Sequence, residues 1–102
     1  MVKQVNEADF QKEVLESGGL SVVDFYADWC KPCKRILPTL EEIATEKSGE
    51  VLVCKVDVDQ SQQLASAFQV MSIPNIISFK NGEMYKRAMG AVSKEELLNL
   101  VE

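Results

Sequence analysis

Two cysteines separated by two residues, Cys30 and Cys33, are the side chains of this sequence best suited to chemistry. Apolar residues nearly fill residues 20–27 just upstream, which predicts a strand buried on both faces. Downstream, apolar residues recur at helical spacing, at Ile36, Leu37, Leu40, Ile43 and Ala44. The second thiol is therefore expected in the first turn of a helix and the first thiol just before it. Unpaired backbone N–H groups and the helix dipole favour a thiolate there, and a thiolate is the form that attacks disulfides.

The cysteine pair admits four interpretations. A structural disulfide is not expected, because the redox poise of the cytosol keeps most such cysteine pairs in the dithiol form. A metal site would need Cys54 as a third soft ligand, and the chain has no histidine, so we expect none. A coincidental pair in an inert fold does not explain the position at a helix start. Dithiol–disulfide exchange fits best, because Trp29 precedes the pair and Pro32 lies within it. Cys54, in an apolar strand, is expected to be a core residue, with a regulatory thiol as the alternative.

Composition and charge narrow the class of protein. The chain has 102 residues, enough for one domain with its own core, and a formal net charge of −5 without any histidine. A nucleic-acid-binding protein would need a basic surface, so that class is excluded. No run approaches the roughly 18 apolar residues that span a membrane, and residues 1–7 are too polar for a secretory signal. We expect a monomer in the reducing cytoplasm, without nucleic-acid or membrane partners.

The remaining patterns predict the elements that must position the thiols. Strands are expected over residues 2–5, 20–27, 51–56, 75–80 and 84–87. Helices are expected after caps at Asn6, Asp59 (with Gln62) and Ser93 (with Glu96), and one more is expected to begin near Pro32 and to kink at Pro38. Asn81 and Gly82 between the last two strands predict a hairpin. The order βαβαβαββα predicts an α/β fold: a central mixed β-sheet, parallel where helices cross over and antiparallel in the last hairpin, flanked by helices on both faces.

The chain resembles the thioredoxin family over essentially its whole length. The matching residues are Val23-Asp24-Phe25, Trp29-Cys30, Pro32-Cys33-Lys34, Pro38, Lys55-Val56-Asp57-Val58-Asp59, Ile73-Pro74, Phe79-Lys80-Asn81-Gly82 and Gly90-Ala91. The resemblance implies a single thioredoxin domain over residues 1–102 and the thioredoxin fold, whose element order matches the predicted one. It implies an enzyme that reduces disulfides in client proteins by reversible oxidation of the Cys30/Cys33 dithiol, with no bound cofactor. It also implies a thioredoxin reductase, usually a flavoenzyme that draws on NADPH, as the partner that recharges the dithiol.

The same resemblance assigns roles around the thiols. Cys30, expected to be the more exposed thiol, is the nucleophile, and Cys33 is the resolving thiol that closes the redox-active Cys30–Cys33 disulfide. Asp24 is the expected proton acceptor of Cys33. An acid inside an apolar strand costs several kcal/mol if charged and unpaired, so a buried carboxyl of raised pKa is expected. The alternative for Asp24 is a surface-facing position or a structural hydrogen bond. Lys55 is expected to modulate Asp24, and its alternative is an ordinary strand-end lysine.

The resemblance further implies a client-binding surface beside the thiols. Pro74 is expected to follow a cis peptide bond, and the backbone before it to pair with an extended client peptide. An apolar rim of small and flat residues is expected to admit that backbone, formed by Trp29, Pro32, Ile73, Gly90 and Ala91. The alternative for Trp29 is a core aromatic residue. Asn75, where the family more usually has threonine, departs from the pattern on this surface.

Lys31 is the second departure, because the family commonly has glycine at this position. It joins Lys34 and Arg35 in a basic cluster beside the thiols of an otherwise acidic chain. A lysine at a helix start opposes the helix dipole by a few tenths of a kcal/mol, but it stabilises a nearby thiolate. We therefore count Lys31 with the client-binding residues and expect it to affect the range of clients and the choice of reductase.

Three other functions stay open at this point. A thiol oxidase or isomerase on the same fold would act in an oxidising compartment, which the polar N-terminus does not favour. A binding module would act as a subunit or regulator of another protein without using its thiols. Metal delivery would use Cys30, Cys33 and Cys54 together.

Overall fold

A mixed five-stranded sheet forms the centre of the fold in the computed structural model, which describes residues 1–102. The strands are β1 (Lys3–Gln4), β2 (Leu20–Tyr26), β3 (Val51–Asp57), β4 (Asn75–Lys80) and β5 (Glu83–Met89). The helices are α1 (Glu7–Phe10), α2 (Lys31–Glu46), α3 (Gln62–Ala67) and α4 (Lys94–Asn99), and α1 continues as a π-helical segment over Gln11–Leu15. The predicted element order and the α/β fold class are confirmed. No helix combines the length and the apolar character needed to cross a membrane.

The strand order β1-β3-β2-β4-β5 places β2 in the middle of the sheet. Strand β3 is parallel to β1 and β2, whereas β4 is antiparallel to both β2 and β5. The prediction that every helical crossover joins parallel strands is therefore wrong at α3. This helix has six residues and advances the chain by only about 9 Å, while the seven residues of β3 span about 23 Å. The rest of the connection is mostly turns and bends, so no extended segment makes up the difference. The chain consequently enters β4 from the edge of the sheet where β3 ended.

Two apolar cores cover the two faces of the sheet. One is formed mainly by α2, α4 and the sheet, and includes Val22, Ile36, Leu40, Ile43, Ile76, Leu97 and Leu100. The other lies under α1, the π-helical segment and α3, and includes Phe10, Val14, Val23, Phe25, Val56, Ile77 and Phe79. Side chains alternate along β2, so Val22 enters the first core and Val23 the second. Asp24 therefore faces the same side as Val22, beneath α2.

Three of the predicted local signals are confirmed. Asn6 Oδ1 accepts a hydrogen bond from the backbone of Asp9 at 3.0 Å, which caps α1. Ser93 Oγ accepts from the backbone of Glu96 at 3.2 Å, which caps α4. The hairpin between β4 and β5 turns at Asn81 and Gly82, whose φ angles of 53° and 86° are the positive values that a tight hairpin turn requires.

The N-terminus of α3 is capped differently from the prediction. Ser61, not Asp59, is the N-cap residue, and its side chain makes no capping bond. Glu7 Oε1 instead accepts hydrogen bonds from the backbone N–H groups of Gln63 at 2.9 Å and Leu64 at 3.2 Å. A carboxylate from α1 thus satisfies N–H groups that a local capping box would have satisfied.

Candidate active site

The two thiols lie at the start of α2, as predicted from the sequence. Cys30 is the N-cap residue and Cys33 lies in the first turn, with Pro32 between them where a missing N–H costs nothing. The structure joins their sulfurs in a disulfide with Cα atoms 5.3 Å apart, and Cys30 Sγ accepts a hydrogen bond from Cys33 N at 3.2 Å. The helix continues through Pro38 without ending there.

The surroundings of the disulfide favour negative charge on sulfur. The first turn of α2 contains no acidic residue, and Lys31, Lys34 and Arg35 are all exposed beside it. A thiolate in this position would face unpaired N–H groups and nearby cations. Cys30 and Cys33 are 4% and 3% exposed, so the expected difference in exposure between the thiols is not seen in the disulfide form.

Asp24 is buried in the sheet and its carboxyl group opens on a cavity that reaches Cys33. The residue is 2% exposed and its Oδ1 has no hydrogen-bond partner. Burial raises the pKa of Asp24 to about 7, and the positive charge of Lys55 opposes this rise. The cavity has a volume of about 170 Å³ and is lined by Asp24, Tyr26, Ala27, Asp28, Cys33, Lys34, Leu37 and Lys55. The surface-facing alternative for Asp24 is therefore wrong, and the structure brings this carboxyl to the same space as Cys33.

Lys55 lies next to Asp24 but does not form an ion pair with it. The two residues are register partners on β3 and β2. The only ion pairs closer than 4.0 Å are Lys3–Glu13, Lys94–Glu42 and Lys94–Glu46. The Lys55 ammonium lies instead over the ring of Tyr26, 5.2 Å from its centroid. Sequence reasoning singled out Lys55 but gave Tyr26 no role at this site.

One residue of the predicted client-binding rim, Ile73, packs against the cluster that contains Cys30 and Cys33. The peptide bond between Ile73 and Pro74 is cis, as expected, and Pro74 is buried. Gly90 N donates to the carbonyl oxygen of Pro74 at 2.8 Å, and its φ of 90° is accessible to glycine at little strain. This bond fixes the segment of Gly90 and Ala91 next to the cis peptide.

Trp29 is a surface residue and borders a groove. Its side chain is 69% exposed, so the alternative of a core aromatic residue is wrong. A groove of about 390 Å³ is lined by Trp29, Val58, Val70, Met71, Ser72 and Ile73. Sequence reasoning missed Val58, Val70 and Met71 as groove residues. For Val70 and Met71 the only signal in the sequence was their nearness to Ile73. Val58 gave no such signal, since it reaches the groove from the end of β3.

Cys54 lies outside this site. It is fully buried in the core beneath α1 and α3, and burial raises the pKa of its thiol to about 12. The predicted core position is confirmed. No group of three His, Cys, Asp or Glu side chains comes together in a way that could hold a metal ion.

Comparison with known proteins gives a consistent result. A family model described as Thioredoxin matches residues 1–102. The chain is 48% identical over 95 residues to a Thioredoxin of Mycobacterium tuberculosis (strain ATCC 25618 / H37Rv), and the aligned residues cover 93% of this chain and 82% of that protein. It is 40% identical over 101 residues to a Thioredoxin of Rhodospirillum rubrum, and the aligned residues cover 99% of this chain and 97% of that protein. A Bifunctional thioredoxin reductase/thioredoxin of Mycobacterium leprae is 46% identical over 95 residues, which cover 93% of this chain and 21% of that protein.

Proposed function

The chain belongs to the thioredoxin family and is a thiol–disulfide oxidoreductase with Cys30 and Cys33 as its redox-active pair, and from this premise we propose that it reduces disulfides in client proteins. Residues 1–102 act as one thioredoxin domain in this proposal. Cys30 is the attacking thiol, Cys33 the resolving thiol and Asp24 the proton acceptor.

The first step joins the enzyme to its client. The Cys30 thiolate attacks one sulfur of the client disulfide, a mixed disulfide forms, and the other client sulfur leaves as a thiolate that takes up a proton. The N-cap position of Cys30 and the exposed cations beside it support this role, because both stabilise the attacking thiolate.

The second step releases the client. Asp24 takes the proton of Cys33, whose thiolate attacks Cys30 Sγ, and the client leaves with its second sulfur reduced. Two electrons have then passed to the client, and the enzyme holds the Cys30–Cys33 disulfide that the structure contains. The single observation that carries this assignment is the cavity shared by Asp24 and Cys33, because it gives the buried carboxyl access to the resolving thiol.

Client recognition is proposed to use the backbone at the cis peptide. The groove between Trp29 and Ile73 is open, and Ser72 and Ile73 line it on the segment that precedes Pro74. Ile73 also packs against the cluster that contains both cysteines. An extended client segment can pair with this backbone as an added strand, while Trp29, Pro32, Gly90 and Ala91 form the surrounding rim. Lys31 adds an exposed positive charge to the same surface.

A reductase and a reducing compartment complete the proposal. The disulfide must be reduced after each turnover, so we propose a thioredoxin reductase, a flavoenzyme, as the second partner. The name of the Mycobacterium leprae relative supports this pairing, since it joins both activities in one protein. We further propose that the protein works as a monomer in the cytoplasm, where a disulfide reductase is maintained in its dithiol form.

The proposal is tested by the reduction of insulin disulfides with dithiothreitol as the electron donor. The parent protein should accelerate the reaction, Cys30→Ser should abolish the acceleration, and Cys54→Ala should retain it as the matched control.

A single-turnover experiment tests the role of Asp24. Asp24→Asn should slow the release of client from the mixed disulfide about 100-fold at neutral pH, which is the lower end of the rate enhancement that a general base provides. Full activity of Cys30→Ser would exclude the assigned chemistry. A reduction potential well above roughly −270 mV would instead favour an oxidase.

A further inference from the structure

Asp24, Tyr26 and Lys55 form a connected group on the face of the sheet beneath α2. Asp24 and Lys55 are register partners on adjacent strands, and Tyr26 follows Asp24 by two positions on β2, so the three side chains point to the same side. All three line the cavity that reaches Cys33. The position of the lysine ammonium within this group therefore affects the carboxyl group that serves the resolving thiol.

The Lys55 ammonium is held by the ring of Tyr26 and not by Asp24. It lies 5.2 Å from the ring centroid, within the range of a cation–π contact, and makes no ion pair with Asp24. The ring itself is anchored, because the Tyr26 hydroxyl donates a hydrogen bond to Gln4 Oε1 of β1 at 2.9 Å. The aromatic face that attracts Lys55 is thus fixed by a strand two positions away in the sheet order.

We propose that Tyr26 is a positioning residue: its ring holds the Lys55 ammonium away from the Asp24 carboxylate, so that Asp24 stays able to accept the proton of Cys33. This inference rests on the proposed role of Asp24 and adds the residue that regulates it. Without the ring, Lys55 is free to turn toward the unpartnered Asp24 Oδ1.

The chemical consequence follows from the balance between burial and charge. Burial is the larger cause that raises the pKa of Asp24 to about 7, and the charge of Lys55 lowers it. A direct ion pair with Lys55 would lower the pKa of Asp24 further, by about 1 to 3. Asp24 would then be a weak base at neutral pH, since a proton acceptor works best when its pKa is near the working pH.

The other ionisable groups around Asp24 do not replace Lys55 in this role. Cys33 and Lys34 reach the cavity from α2, and Asp28 reaches it from the loop before that helix. From the strands, Cys54 faces the opposite core, Asp57 lies at the end of β3, and the register partner on β4 is the apolar Ile76. Lys55 is the one residue whose charge acts on the pKa of Asp24.

The test is a carboxyl NMR titration of Asp24 in the oxidised protein, which does not depend on activity. Four proteins are compared: the parent, Tyr26→Leu, Lys55→Met and the double variant. Tyr26→Leu should lower the proton affinity of Asp24 about tenfold, and Lys55→Met should raise it. The double variant should match Lys55→Met, because the ring has no ammonium left to hold. Tyr26→Phe keeps the ring and should shift the titration less than Tyr26→Leu.

Several outcomes would overturn the inference. If Tyr26→Leu lowers the proton affinity equally with and without Lys55, the ring acts through packing alone. If it has no effect in either background, the ring does not position Lys55. The parent provides a check that needs no variant, since the ε-methylene protons of Lys55 should show an upfield ring-current shift, and normal values would refute the contact. An Asp24 that titrates near 3.9 in the parent would instead refute the proposed role of Asp24 itself.

Discussion

The indole Nε1 of Trp29 donates a hydrogen bond to Asp59 Oδ2 at 2.8 Å, which ties the residue before the first thiol to the loop after β3. Asp59 is itself held, because its backbone N–H donates to Oδ1 of the buried Asp57 at 2.9 Å. An exposed aromatic ring would otherwise move freely among its rotamers. One wall of the groove that Trp29 borders is therefore held in place by the end of β3, an interior strand of the sheet.

Loss of the Asp59 acceptor should loosen Trp29. A charge-assisted hydrogen bond at the surface contributes about 1 kcal/mol, so Asp59→Ala should raise the KM for a protein client about fivefold and leave kcat nearly unchanged. Time-resolved fluorescence anisotropy of Trp29, the only tryptophan, should show a larger amplitude of fast motion. Asp59→Asn is the matched control, because its amide oxygen can still accept the bond. Equal anisotropy decays for the parent and Asp59→Ala would contradict this link.

Removal of the buried acid should stabilise the fold at alkaline pH. The pKa of Asp24 is raised to about 7 in the folded chain, against about 3.9 in an unfolded chain. The stability associated with this group is therefore fully present below the unfolded pKa and is lost as the pH rises through the folded one. At a pH above both pKa values, the buried carboxylate lowers the free energy of unfolding by roughly 4 kcal/mol. Asp24→Ala should gain part of this, less the penalty of the cavity that it creates.

Denaturant unfolding at two pH values measures this effect. At about pH 8, Asp24→Ala and the near-isosteric Asp24→Asn should both be more stable than the parent, by on the order of 1 to 3 kcal/mol. At about pH 4 the acid is protonated in the folded protein and about half ionised in the unfolded chain, so little of the gain should remain and Asp24→Ala, which leaves a cavity, should be the less stable protein. An alanine variant that is less stable than the parent at the higher pH would show that the carboxylate is not penalised by burial.

The two thiols should behave differently when each is replaced. Cys33→Ser keeps the attacking thiol but lacks the resolving one, so it should accumulate a mixed disulfide with a client peptide, while Cys30→Ser should not. Intact mass spectrometry under non-reducing conditions detects the adduct, and peptide mapping should place it on Cys30. Cys33→Ser/Cys54→Ala is the control and should trap the client equally, because the Cys54 thiol is buried. Trapping by Cys30→Ser at the same rate would reverse the assigned roles.

The charge of Lys31 should make the disulfide a stronger oxidant. A cation near the thiols stabilises the thiolate and hence the dithiol form, by about 0.5 kcal/mol at an exposed position. Lys31→Gln should therefore make the reduction potential more negative by about 10 mV and slow alkylation of Cys30. Lys12→Gln removes an equally exposed charge from the π-helical segment and is the control. Redox equilibration with glutathione measures the potential, and an unchanged or less negative value would contradict the effect of Lys31.

Features decided within a few residues could be predicted from the sequence of this protein. The apolar run of β2, the helical spacing after Cys33, the caps at Asn6 and Ser93 and the hairpin at Asn81–Gly82 are all present in the structure. Each depends on backbone geometry and on side chains that are neighbours in the chain. The family resemblance added the cis peptide before Pro74, which no local pattern specifies.

Only the tertiary structure decided which contact forms when groups distant in the sequence compete for the same partner. The predicted capping box at Asp59 failed because its carboxylate accepts from Trp29, while Glu7 caps α3 from another helix. Likewise, a strand pattern could place Asp24 and Lys55 on adjacent strands, but it could not show that Lys55 turns to the ring of Tyr26. Such choices depend on which side chains the sheet and its helices bring together, and the energies of the competing contacts differ by only about 1 kcal/mol.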